Sequence, residues 1–461
     1  MSILLFLGLI SCNPGGQKQE KAAGIPDWAV TARTQVEQWV ENGSVVGAGL
    51  LIIQDGKVIL QEAYGMNDAE RGIPLQKNQI HKIHSMTKPF TGTAILMLME
   101  EGMLDLDDPV SDYLEAFRND ECREITIRQL LDHTAGFVQP AYPRGSIDLY
   151  ADLEEAVTDL AAHGPEHNPG TAYHYSDGHS ATLGMIVTKR SGMPVEEFIA
   201  ERIFEPLGMR DSYCLLKPGQ PDRSRVCNTY RWTEDGYVKA WDQGDEPETP
   251  FFRASGGIYT TPGDYARFLG LIMNGGSNGQ VRLLKASTLR EALSPGSLND
   301  AYGLHWELLH HFEDTAILPV FGHGGSAGTQ AMALPEQNAM VFYFSQSRGT
   351  LTSEFFKEMI LQELGYKEKK HFSTRPPDEW LYESYTGEYR ISGRPWTVER
   401  TQQGICLKSG RLVPIDFRPV SDSVFEQPYM DWSVTFHRNA EGFADNFSFR
   451  LGERIVEAIR E

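Results

Sequence analysis

The chain has 461 residues, 41% hydrophobic and 23% charged, an ordinary balance for a globular protein long enough for two or three domains. Its 63 acidic residues against 42 basic ones give a net charge of −21. That excess argues against nucleic acid as a partner, because phosphates reward clustered Lys and Arg, and against a polybasic membrane-binding surface.

Residues 1–10 are nearly all apolar and are followed by Ser11-Cys12. This resembles the end of a bacterial lipoprotein signal, in which the Cys is lipidated after cleavage; no Lys or Arg precedes the run, a departure from that pattern. The run is too short to span a bilayer. The resemblance implies a signal segment over 1–12, a lipid on Cys12, a tether over 13–24, and a periplasm-facing lipoprotein of the bacterial cell envelope. Without it the chain would be soluble, in the periplasm or the cytoplasm.

Residues 27–41 predict an amphipathic helix with Trp28, Val36, Trp39 and Val40 on its apolar side and Gly43 as a stop. Asp55-Gly56 between two β-prone runs predicts a hairpin, since a type I′ turn needs positive φ. Residues 85–101 are apolar nearly all round, the mark of a helix buried on every side. A shorter helix is expected over 127–133, and most of 85–300 reads as helical. A second hairpin turns at Pro335-Glu336-Gln337-Asn338, and a helix over 353–364 ends at Gly365. Helix plus hairpin at one end and hairpin plus helix at the other predict one α+β layer built from both ends, with a helical insertion between. This assigns 25–366 to one domain. Residues 367–380, with a Pro pair, read as a linker, and the short β-prone runs of 381–461 as a small barrel or sandwich.

Ser85 and Lys88 are spaced to lie on one helix face, with the Lys amine beside the Ser hydroxyl. A serine is a weak nucleophile near neutral pH and needs a base or a cation beside it. Its place at a helix start offers backbone N–H groups to a developing oxyanion, and Pro89 is tolerated in that first turn. Ser-x-x-Lys occurs once in the chain. Two further motifs follow in order: Tyr175-Ser176-Asp177, and Gly322-His323-Gly324-Gly325-Ser326 ahead of a predicted strand.

The order of these motifs resembles the serine β-lactamase and penicillin-binding-protein superfamily. The nearest members are class C β-lactamases, D-alanyl carboxypeptidases and β-lactamase-like carboxylesterases. HSMTKPFTGTAILMLMEEGMLDLDDPVSDYL, ITIRQLLDHTAGF, YSDGHSATLGMIV, ASGGIYTTPGDYARF and FGHGGSAG carry the resemblance over about residues 26–365. It implies a β-lactamase-like α/β fold: an antiparallel sheet flanked by the terminal helices, an inserted all-α subdomain, and a small C-terminal β-barrel-like accessory domain. It also implies acylation of Ser85, a proton network at Lys88, and Tyr175 as base or shuttle. The backbone N–H groups of Ser85 and Ser326 would form the oxyanion hole, with Asp177, His323, Gly324 and Gly325 lining the substrate cleft. The glycine pair would let substrate lie close to the backbone. Neither a metal nor an organic cofactor is implied.

Two positions depart from the β-lactamase pattern: Asp177 stands where Asn is usual, and His323 where Lys is usual. A carboxylate only accepts hydrogen bonds, and His is near neutral at pH 7. Losing a cation and gaining an anion should disfavour substrates that bring a carboxylate. Small esters, or a substrate with a free amine, are expected ahead of β-lactams and D-peptides. A binding or sensor protein that is acylated without turnover is the alternative from another class.

Gly324-Gly325-Ser326-Ala327-Gly328 also fits the Gly-x-Ser-x-Gly elbow, but no helix is predicted after it, as that motif requires. His163, His167, His174 and His179 lack metal-ligand spacing and read as loop or surface residues. His133 reads as structural, at a helix end. The five cysteines contain no Cys-x-x-Cys; Cys214 and Cys227 are read either as a pair or as buried thiols.

Overall fold

The structure is a computed structural model that describes residues 24–216, 223–372, 377–410 and 412–461. The signal segment with Cys12, most of the expected tether and part of the linker lie outside the described residues.

The first helix, Asp27–Glu41, buries Trp28, Ala29, Ala32, Val36 and Trp39, the stripe its periodicity dictates. The turn after strand Gly47–Gln54 has φ of 51° at Asp55 and 71° at Gly56, both positive as a type I′ turn requires. Seven strands form one sheet in the order Ile73–Pro74, Lys57–Asp68, Gly47–Gln54, Ala339–Ser345, Thr329–Leu334, Val320–Gly325, Glu307–His310. Every neighbouring pair is antiparallel, and the first long strand pairs with one almost 300 residues later, Leu50 opposite Tyr343.

Alternation along these strands feeds two cores. Leu51, Phe342, Phe344 and Phe321 face the helical insertion, including helices Lys88–Glu100 and Pro262–Met273. Leu50, Ile52, Val341 and Tyr343 face the terminal helices Asp27–Glu41 and Thr352–Glu363. Helix Lys88–Glu100 is buried along nearly its whole length, matching its lack of a polar face.

After helix Glu379–Tyr385, eight strands from Gly387 to Arg460 close into a barrel. Its interior is continuous with the core under the terminal helices. Tyr429 Oη donates to Gln35 at 2.7 Å, and Phe355 packs against the rings of Tyr429 and Trp432. A small sheet of Thr229–Thr233, Gly236–Trp241 and Ser347–Arg348 was not foreseen from sequence. Cys122, Cys214, Cys227 and Cys406 are buried free thiols, so Cys214 and Cys227 are not paired.

Candidate active site

The expected helix start at Ser85 is a 3₁₀ turn, His84–Thr87, and the α-helix begins at Lys88 with Pro89 in its first turn. A 3₁₀ turn also brings residues three apart together, so the Ser85–Lys88 pairing survives the change. Lys88 Nζ is 3.3 Å from Ser85 Oγ. Its other donors go to Asp177 Oδ1 at 2.6 Å and to the Ser255 carbonyl at 3.2 Å. The ammonium also lies 4.6 Å from the centre of the Tyr175 ring.

Tyr175 and Asp177 arrive together because a helix starts between them. Ser176 is the N-cap of helix Asp177–Ser191, its hydroxyl accepting from the Gly178 N–H. Burial works against the Lys88 charge, but Asp177 and then Tyr175 outweigh it and hold the amine above its usual value. Asp177 shifts the opposite way: burial would raise it, yet Lys88 and Arg253 keep it below the usual carboxylate range. Burial raises the Tyr175 phenol, and Lys88 opposes this without cancelling it. The resting site is therefore a charged Lys88, an ionised Asp177 and a neutral Tyr175, on whose phenol Lys88 and Ser85 both act.

The expectation that Asp177 presents a free anion to substrate needs correction. Lys88 is bonded to one of its oxygens, and Arg253 Nη2 stands 3.6 Å from the other. Arg253 belongs to none of the three motifs. It and Asp177 share a cavity of about 450 Å³ with Tyr142 and Gln139.

The third motif ends strand Val320–Gly325, and Ser326 begins the turn into Thr329–Leu334. Ser326 is thus in a tight antiparallel hairpin with no helix after it, which excludes the elbow reading. The role expected of Gly325 also changes. A Cβ there would sit 2.3 Å from the Ile83 carbonyl oxygen. The missing side chain lets the strand end lie against the turn that carries Ser85, rather than opening room for substrate. Gly324 is similarly close-packed, a Cβ falling 2.9 Å from Gln330 Oε1.

His323 is buried with a determinate tautomer: its Nδ1 faces the Gly324 carbonyl at 2.8 Å, so it carries the proton, and Nε2 accepts from Tyr302 Oη at 3.1 Å. Burial lowers its pKa, so it is neutral at pH 7. Glu307, unremarked in the sequence, lies 3.6 Å from His323 Nδ1 and accepts the Gly324 N–H. Burial opposes its ionisation, but Lys357 and that N–H help hold its pKa below the usual carboxylate value.

His179, read from sequence as a surface residue, is fully buried beside His133 and His305. His133 Nδ1 and His179 Nδ1 are 2.7 Å apart, and the Ser176 N–H also points at His133 Nδ1, so His179 is the donor. His133 and Tyr175 ring centres are 4.6 Å apart, so this neutral cluster forms the wall behind the phenol. His163 and His167 are exposed, as expected. Among the described residues, no group of His, Cys, Asp or Glu is arranged to hold a metal, and no helix is long and apolar enough to cross a membrane.

Comparison with known proteins gives concordant results. The beta-lactamase family matches residues 32–388. A protein of Escherichia coli (strain K12) named "Putative D-alanyl-D-alanine carboxypeptidase" is 26% identical over 390 residues, covering 74% of this chain and 90% of that protein. The octameric penicillin-binding protein homologue from Pyrococcus abyssi superposes with a TM-score of 0.65 at 21% identity, covering 93% of this chain and 99% of that one. EstCE1, a hydrolase with promiscuous acyltransferase activity, superposes with a TM-score of 0.63 at 19% identity, covering 74% of this chain and 98% of that one.

Proposed function

The chain belongs to the beta-lactamase family of serine hydrolases, and on that premise we propose that it is a carboxylesterase for small esters, acylated at Ser85. Ser85 Oγ attacks the ester carbonyl, and the oxyanion is held by the backbone N–H groups of Ser85 and Ser326. Tyr175 need not be ionised at rest. Its oxygen accepts the Ser85 proton while its own proton passes to the leaving alcohol oxygen, so proton and bond counts balance in one step. In deacylation a water gives its proton to Tyr175, which returns one to Ser85 Oγ. Lys88, fixed by Asp177, favours negative charge on both oxygens.

The observation that carries the ester preference is the pair His323–Glu307. Where a relative with Lys would offer a cation, this cleft has a neutral imidazole backed by a carboxylate 3.6 Å away. A leaving group that brings its own carboxylate, as a peptide C-terminus or an opened β-lactam does, meets like charge there. The same reading includes the division into a hydrolase unit over 25–366 and an accessory unit over 381–461, and envelope attachment through Cys12.

The test is hydrolysis of p-nitrophenyl butyrate by the protein from residue 24 onward, compared with Ser85→Ala. Loss of activity with circular dichroism unchanged is expected. Full activity in the variant would remove Ser85 as nucleophile. Faster turnover of a chromogenic cephalosporin than of the aryl ester would overturn the ester preference.

A further inference from the structure

Tyr175 forms part of the wall of a second cavity, of about 340 Å³, together with Tyr173, Tyr302, Glu307 and Lys357. It is separate from the cavity shared by Asp177 and Arg253. Its aromatic faces are not parallel: the Tyr175 and Tyr302 rings meet at 85° with centroids 6.1 Å apart, and Tyr173 and Tyr302 at 53° and 5.9 Å. A cation entering between them would meet more than one π face.

The charge of the wall points the same way. Glu307 Oε1 accepts the Gly324 N–H at 3.3 Å, whereas Oε2 is buried and has no hydrogen-bond partner among the described residues. The neighbouring His323 is held in a neutral tautomer by Tyr302 and the Gly324 carbonyl. Around the cavity Glu307, Glu354 and Glu358 face two cations, Lys357 and Lys367: Lys357 Nζ, 2.6 Å from Glu354, also acts on Glu307, and Lys367 is paired with Glu358. One carboxylate charge is left over at an aromatic wall, a combination that suits an organic ammonium ion better than a neutral or anionic group.

The shuttle through Tyr175 fixes which part of a substrate reaches this cavity. The leaving oxygen must approach the phenol that protonates it, so the group beyond that oxygen lies in the space walled by Tyr175. We infer that this cavity is a leaving-group subsite for an organic ammonium, so that the preferred esters carry a cationic nitrogen on their alcohol portion. The inference rests on the Ser85 reading given above.

The probe is butyrylcholine, set against its uncharged isostere 3,3-dimethylbutyl butyrate, with binding to the full Ser85→Ala protein measured by calorimetry. The cationic ester should bind about tenfold more tightly. Added salt should weaken only that ester. In the Ser85→Ala background, Glu307→Gln, which keeps an acceptor for the Gly324 N–H, should bring the ratio near one, and Tyr173→Leu should lower it. Equal or weaker binding of the cationic ester by the Ser85→Ala protein overturns the inference, and so does a ratio unmoved by Glu307→Gln. If Ser85→Ala still hydrolyses both esters, the Ser85 reading falls instead. The ratio of kcat/KM between the two esters then decides the ammonium site alone.

Discussion

Lys88 has no solvent exposure, yet it carries a charge and spends its three donors on Ser85, Asp177 and the Ser255 carbonyl. A buried ion pair gives little net stability, but removing one partner strands the other and costs about 3 kcal/mol or more. Asp177→Asn should therefore lower the urea unfolding free energy at pH 7 by about 3 kcal/mol. Adding Lys88→Met should recover part of that loss, because no charge is then left alone. A double-mutant cycle with no coupling between the two positions would refute the pairing. The neutral Tyr175 has a kinetic counterpart. With its phenol raised and Lys88 held protonated, the hydrolysis rate should stay level through mildly alkaline pH rather than rise with phenolate formation.

At the scale of elements, the site depends on how closely strand Val320–Gly325 approaches the turn His84–Thr87. Gly325 sets that distance, since a methyl group there would stand 2.3 Å from both the Ile83 carbonyl oxygen and Thr329 Oγ1. The Ile83 carbonyl is backbone and cannot withdraw cheaply, whereas the Thr329 hydroxyl is a side-chain group that a rotamer change could move. Gly325→Ala should move the Ser326 N–H away from the Ser85 oxyanion position and lower kcat/KM by about 100-fold while the protein still folds. An alanine variant within threefold of the parent rate would show that this contact does not set the catalytic geometry. Gly92 plays a similar part on the far side of the nucleophile helix, where a Cβ would fall 2.8 Å from His305 Cβ.

At the scale of the whole molecule, six histidines are buried among the described residues: His81, His84, His133, His179, His305 and His323. Burial lowers the pKa of each, to about 3 for His81 and His179. In the unfolded chain they titrate near ~6.5. Below that pH the unfolded state takes up protons the folded state refuses, so stability is full above ~7 and falls as pH drops toward the folded values. A histidine with a folded pKa of about 3, as His81 and His179 have, should cost about 1.4 kcal/mol at pH 5.5, so those two alone account for about 3 kcal/mol and the other four add in the same direction. Urea midpoints at pH 7.5 and 5.5 measure this directly. An unchanged midpoint would mean that these imidazoles are already charged, or reach water, in the folded protein.

The architecture was legible where local chemistry dictates it. Asp55-Gly56 allows positive φ, the stripe of Trp28, Val36 and Trp39 needs a core on one side, and an all-apolar helix after Ser85 can only be buried. The third motif was readable as lying ahead of a strand with no helix after it, whereas its own place at the end of strand Val320–Gly325 was not. The pairing of Ser85 with Lys88 likewise follows from a three-residue spacing. What the chain folds around those residues was not legible. Arg253, Glu307 and Tyr302 carry no local pattern, and each acquires its meaning from one contact across the fold: with Asp177, with His323 and the Gly324 N–H, and with His323 Nε2. His179 looked like a loop histidine because its burial depends on His133 and His305, 46 and more residues away. Periodicity and turn chemistry are properties of neighbours in sequence and so are written in it. Charge compensation, tautomer and close approach arise between residues far apart in the chain, and only the tertiary structure decides them.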